Sequence, residues 1–305
     1  MIRRRLILAC ILALAAATGL AAQENPEALQ FARGERNPRN AAFAGAGAAS
    51  AYSPAYAALR GNAAMIPLYG GTLDAGAAYQ KAKPGNEYTK SNNFQAGVAG
   101  KIGLGDYGNL GLALGAAYDS YEPVGFFTPS GLLVALGAAY GIGNNFGIGV
   151  SARYAKESIT ENISYGAFSA DITASARFAE DFTAIVGVAM LGPRVQGSAE
   201  SYPQPAHALA ALAWRHVFEQ KHSLEIMADA EYCFEGSFGA SAGIEYGYSD
   251  MVFVRGGFRA GTPALPSHCA AGLGFKYFGI RLDASYIFAS EILGNGLSVG
   301  LGYSF

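Results

Sequence analysis

From about Gly70 to Phe305 the sequence keeps returning to a two-residue period, with apolar and polar side chains taking turns. The clearest stretch is Leu224-Glu225-Ile226-Met227-Ala228-Asp229-Ala230-Glu231-Tyr232, with Leu224, Ile226, Ala228, Ala230 and Tyr232 on one face and Glu225, Asp229 and Glu231 on the other. A second stretch, Ile280 to Tyr286, is apolar on even numbers, with Arg281 and Asp283 on odd ones. The chain closes on Leu297, Val299, Leu301, Tyr303 and Phe305 against Ser298, Gly300, Gly302 and Ser304. Successive strand side chains point to opposite faces, so this pattern predicts sheets with one apolar and one polar face.

The chain is 51% hydrophobic and only 14% charged, yet beyond residue 22 no apolar run reaches the roughly 18–20 residues that a membrane helix needs. An apolar chain without spanning helices can still live in lipid as a closed β-barrel, in which every backbone group pairs with a neighbouring strand. The first residues agree with export. Arg3, Arg4 and Arg5 precede an apolar run from Leu6 to Leu20, and small residues lead to Gln23, the order of a secretory signal peptide cleaved near Ala22. Three of the 21 Lys+Arg and none of the 23 Asp+Glu lie before Gln23, leaving 18 against 23 and a net charge of −5. That balance offers no electrostatic footprint for nucleic acid. Two cysteines remain, Cys233 and Cys269, too few for a disulfide framework, and both are expected to be ordinary wall residues.

Breaks at Gly, Pro, Asn and Asp clusters divide residues 70–305 into about fourteen strands: 70–83, 90–103, 108–121, 130–142, 145–158, 163–178, 181–192, 204–218, 222–235, 236–248, 250–261, 266–278, 279–291 and 294–305. Tight links such as Gly143-Asn144-Asn145, Glu219-Gln220-Lys221 and Tyr248-Ser249-Asp250 alternate with longer ones at Lys83–Tyr88, Glu122–Pro129, Gly192–Pro205 and Gly261–Ser267. Short turns on the periplasmic side and longer loops outside are the rule of outer-membrane barrels, and both barrel ends then lie on the periplasmic side. The short link near Phe234–Ser237 breaks the alternation. Trp214 and Tyr277 fall near periplasmic strand ends, where an aromatic girdle belongs. The expected fold is therefore all-β: a monomeric transmembrane up-and-down antiparallel barrel over 70–305, its partner the outer-membrane lipid. A periplasmic β-sandwich is the soluble alternative, and it leaves the loop alternation and terminal Phe305 unexplained.

Residues 23–69 do not alternate. The run from Phe43 to Ala51 is small and pliant, and Gly45, Gly47, Gly61 and Asn62 are the candidates for a plug that starts in the periplasm and folds into the barrel; a loosely ordered tail is the plainer alternative. Asn40-Ala41-Ala42-Phe43-Ala44-Gly45-Ala46-Gly47, followed by Gly61-Asn62-Ala63-Ala64, resembles the N-terminal signature of the PorV/PorQ family. Gly243-Ile244-Glu245-Tyr246 with Val254-Arg255-Gly256-Gly257-Phe258 is similar to that family's later hairpin, and Leu282-Asp283-Ala284-Ser285-Tyr286 to its penultimate strand. Ala44 stands where Met is usual and Ala63 where Pro is commonest. The resemblance implies a barrel like the FadL fatty-acid transporters, with fourteen strands, an N-terminal plug, and a role in type IX secretion or surface attachment with secretion-system or cargo proteins as partners. The alternative is a FadL-like passive channel for small hydrophobic molecules. A wide general porin is disfavoured by the modest bore of fourteen strands.

Charges that alternation places in the lumen are Glu225, Asp229, Glu231, Glu245, Arg255, Arg259, Lys276, Arg281 and Asp283. They are expected to pair with one another, because unpaired burial is costly, and otherwise to line a polar path. Phe126, Phe127 and Leu132 near an outer loop are candidates for an apolar pocket. The scattered histidines 207, 216, 222 and 268 form no metal-binding spacing, the Gly-rich runs precede no helix, and no catalytic constellation, metal site or cofactor is expected.

Overall fold

The alternating stretches close into one wall. The computed structural model describes residues 26–35, 37–83, 90–123, 125–143, 145–179, 181–197, 200–262, 266–289 and 294–305. The expected signal peptide and most of the Lys83–Tyr88 loop lie outside them. The strands are β1 (Leu73–Lys83), β2 (Ser91–Gly103), β3 (Asn109–Tyr121), β4 (Ser130–Ile142), β5 (Phe146–Thr160), β6 (Ile163–Phe178), β7 (Phe182–Leu191), β8 (Val195–Gln196), β9 (Ser201–Tyr202), β10 (His207–Phe218), β11 (His222–Cys233), β12 (Phe238–Tyr248), β13 (Val252–Gly261), β14 (His268–Tyr277), β15 (Ile280–Phe288) and β16 (Asn295–Ser304). All but β8 and β9 pair antiparallel with their neighbours in a closed fourteen-stranded barrel, as the alternation predicted. β1 pairs with β16, Asp74 opposite Ser304, so the sheet has no free edge.

The faces are inverted relative to a soluble barrel. Ile226, Leu282, Val299 and Leu301 are 42–56% exposed on the outside, whereas Glu225, Arg281 and Ser298 are at most 4% exposed inside. An apolar exterior is the surface of a barrel that sits in lipid. Aromatic side chains gather at the tight-turn rim, among them stacked Phe178 and Phe182, Trp214, and the edge-to-face pair Tyr303 and Phe305. The turns there are tight because Ser249 and Asp250 both take positive φ, the backbone of a hairpin turn that follows strand twist. Among the described residues no helix is long and apolar enough to cross a membrane.

The opposite rim is less regular than expected. β5 and β6 run on to Thr160–Ile163 and leave a two-residue link, and the Gly192–Pro205 connection contains the β8–β9 hairpin. This hairpin folds against the wall: Val195 is buried, and the Gln204 side-chain amide donates to the Phe168 and Pro193 carbonyls. Just before it, Met190 adopts positive φ, and the β6–β7 register slips between Ala170 and Ile172. Ala189 and Met190 are therefore both buried, a bulge that alternation alone does not reveal.

Residues 26–72 run through the lumen. The stretch 26–35 lies at the long-connection rim, where the Ala28 N–H donates to the Pro203 carbonyl and Arg33 reaches Cys233. Short helical turns follow at Pro38–Ala41, Pro54–Tyr56, Ala57–Arg60 and Ala63–Leu68. The segment leaves at the tight-turn rim, where Arg177 donates to the Leu68 carbonyl and Thr72 N–H to that of Phe305. The first described residues sit at the rim opposite the start of β1, where Ala28, Phe31 and Arg33 dock. Small inward-facing wall residues make room for the segment. Phe43, fully buried, sits against Gly243 and Gly257, where an added Cβ would lie 2.6 and 2.2 Å from it.

Candidate functional site

Two ionic seats hold the segment to the wall, and a third lies in the wall beside it. In the first, Glu225 on β11 lies directly opposite Glu245 on β12, a pairing that repels unless a cation intervenes. Arg39 supplies it: Nη2 is 2.9 Å from Glu225 Oε2 and 3.2 Å from Glu245 Oε1, and Nη1 donates to Ser50 Oγ. Arg255 donates to the other side of Glu245 at 2.6 Å and continues to Asp283.

The second seat closes the barrel. Asp74 on β1, fully buried, accepts from Arg281 on β15 at 2.6 Å and from Ser304 on β16 at 2.9 Å. Its other oxygen accepts from Ser53 Oγ and the Ala55 N–H of the segment. In the third seat Arg153 on β5 pairs with Asp171 on β6 at 2.7 Å, and Asp171 also accepts from the Met190 N–H of the bulge. Gly61 has φ +70, and a Cβ there would lie 2.1 Å from Arg153 Nη2.

The expected lumen charges are all inward, and five of the nine pair with a partner from the expected set: Arg259 pairs with Glu231, Arg255 with Glu245 and Asp283. The others find partners that were not foreseen. Glu225 meets Arg39, Arg281 meets Asp74, and Lys276 meets Asp250 at 2.7 Å. Asp229 takes no cation but accepts from the Gly47 and Ala48 N–H groups at 3.1 and 2.8 Å. Of the candidate plug residues, Gly45 and Gly47 take φ +92 and +113, and Asn62 donates to the Ala48 carbonyl. Arg39, Asp74, Arg153 and Asp171 were missed; the signal of the last three is a charge in an otherwise apolar or small-residue run, whereas Arg39 lies in a polar stretch that carries none.

The segment leaves two chambers in the lumen. One, of about 390 Å³, lies between the segment and the wall toward the long-connection rim, lined by Leu59, Arg60, Arg153, Leu209, Asp229 and Arg259 among others. The other, of about 770 Å³, lies toward the tight-turn rim, lined by Tyr52, Arg177, Arg215, Glu225, Asp250 and Lys276 among others. Tyr52 there lies beneath three cations, its ring centroid 4.7 Å from Arg39, 5.2 Å from Arg215 and 5.4 Å from Lys276. The chambers lie end to end along β10 and β11: Ala211 and Asp229 belong to the first, Ala213 and Glu225 to the second. Between them stands the loop 45–51, with Ala48 on one side and Ser50 and Ala51 on the other.

The expected apolar pocket of Phe126, Phe127 and Leu132 is corrected. Phe126 is wholly exposed, Phe127 only partly buried, and Leu132 lies on the lipid side of the wall in a shallow groove with Tyr79, Phe94 and Tyr118. Leu133, its neighbour, is the inward residue at 1% exposure. Cys233 is buried and Cys269 exposed, and the two form no disulfide with each other.

No protein-family model matches the sequence. No curated protein matches it either. Solved structures do resemble it. The toluene transporter TbuX of Ralstonia pickettii superposes with a TM-score of 0.62 at 12% identity, over 89% of this chain and 98% of that one. The CymD monoaromatic hydrocarbon channel gives 0.61 at 11% identity over 88% and 97%, and a FadL homologue of Pseudomonas aeruginosa gives 0.53 at 11% identity over 93% and 99%. At these identities the likeness establishes the fold, a FadL-like barrel.

Proposed function

We propose that this chain is an exported outer-membrane protein that passes small hydrophobic molecules through a barrel narrowed by its own N-terminal segment, residues 23–69 serving as the plug. The observation that carries this reading is the pair of chambers of small-molecule size, with the loop 45–51 between them. A wide pore for water and ions is not left, because Arg39, Asp74 and Asp229 tie the segment to three sides of the wall. The solved barrels named for toluene and monoaromatic hydrocarbons have the same architecture, which supports the choice of cargo class. The PorV/PorQ resemblance implies instead a secretion or surface-attachment part, which needs a protein-binding outer rim. The described part of the long connection, 192–197 and 200–205, docks on the wall through Val195 and Gln204, and this favours the conduit.

The test is uptake. Cells or proteoliposomes carrying the barrel are expected to admit a small aromatic hydrocarbon faster than controls, while planar-bilayer conductance stays far below that of an open porin. No difference in uptake, together with a stably co-purifying surface protein, would overturn the conduit in favour of the secretion role.

A further inference from the structure

The chamber toward the long-connection rim is more polar than a hydrocarbon requires. Leu59, Leu209 and Ala211 give it an apolar side, but Arg153, Asp229, Glu231 and Arg259 also line it. Its carboxylates are engaged, Asp229 by the Gly47 and Ala48 N–H groups, Glu231 by Arg259, and Glu35 by Arg60 at 2.8 Å, and the Gln80 side-chain oxygen is an acceptor without a donor among the described residues. A donor is left over. Arg153 is 3% exposed; its Nε donates to Asp171, while its buried Nη2 has no hydrogen-bond acceptor among the described residues. A buried, unmatched donor costs free energy that a hydrocarbon cannot return and a carboxylate can, through a charge-assisted hydrogen bond.

We infer that this chamber selects a small amphiphile bearing a carboxylate, its head on Arg153 and its apolar body against Leu59, Leu209 and Ala211. The inference rests on the small-molecule conduit reading and narrows its cargo. A ring with one carboxylate fits a volume of about 390 Å³. A cationic ligand is disfavoured because the carboxylates it would need already have donors.

Benzoate and toluene form the deciding pair, since they share a ring and differ in the head. Equilibrium binding of each to the purified full-length barrel in detergent is measured against a protein-free micelle blank. Benzoate is expected to bind at least tenfold tighter. Removing Arg153 alone would strand Asp171, so the paired variant Arg153→Gln with Asp171→Asn is used, its fold checked by heat-modifiable gel migration. It should lose at least tenfold in benzoate binding and change less than threefold for toluene. Equal binding, or toluene alone, overturns the inference and leaves the conduit standing. Binding of neither overturns both. Preference for benzoate that survives the paired variant overturns the assignment to Arg153.

Discussion

Arg39 places its guanidinium between Glu225 and Glu245, 2.9 and 3.2 Å from their carboxylates, and so neutralises two acids that face each other across adjacent strands. One side chain of the lumenal segment thereby completes the wall. Arg39→Ala would leave buried acids short of a cation, at a cost of roughly 3–5 kcal/mol. The expected outcome is a lower unfolding temperature and faster proteolysis within residues 26–69. Adding Glu225→Gln should recover part of the loss, since it removes the repulsion. A double variant no more stable than Arg39→Ala would show that the pair does not act through charge.

Gly61→Ala addresses the third seat. A left-handed backbone costs an L-residue about 1–2 kcal/mol, and here the new methyl also meets Arg153 Nη2 and the Asp171 carboxylate, 2.1 and 2.9 Å away. Both terms destabilise, so its thermal midpoint should fall well below that of Gly105→Ala, where φ is also positive but nothing lies within 4 Å.

Asp74→Ala removes the acceptor shared by β15, β16 and the segment. Arg281 would be stranded in the seam where the sheet closes. The folded, fast-migrating gel band should convert at a lower temperature than in the native protein, and Asp74→Asn should fall between the two. Unchanged conversion for both variants would remove Asp74 from any role in closure.

Asp229→Ala frees the Gly47 and Ala48 N–H groups that the carboxylate holds. The loop 45–51 would keep its Arg60, Asn62 and Thr183 contacts but lose its tie to β11. Single-channel recording should show more frequent brief openings than the native barrel. A silent bilayer in both cases would show that this loop is not what divides the chambers.

Strand number, direction of the apolar faces and the tight-turn rim were legible in the sequence because each depends on near neighbours. Leu224 to Tyr232 alternates cleanly, so its greasy face had one possible side once lipid was the outside. Around Leu132 alternation gives no such answer: Leu132-Leu133-Val134 is apolar on both parities, and a one-residue choice decides whether a side chain meets lipid or lumen. The bulge at Met190 was hidden for a related reason, since one extra inward residue leaves no periodic trace.

Alternation, export-type composition and break spacing thus determined a fourteen-stranded wall with its acids and bases inside. Which of those charges meet was decided only by the closed tertiary structure. Arg39 is separated by 186 residues from Glu225 and by 206 from Glu245, and Ser304 by 230 from Asp74. Such pairs exist because closure fixes the register all the way round the barrel and the segment threads its centre. Local sequence specifies neither the register of distant strands nor the path of a chain whose small residues pack as readily in one direction as in the other.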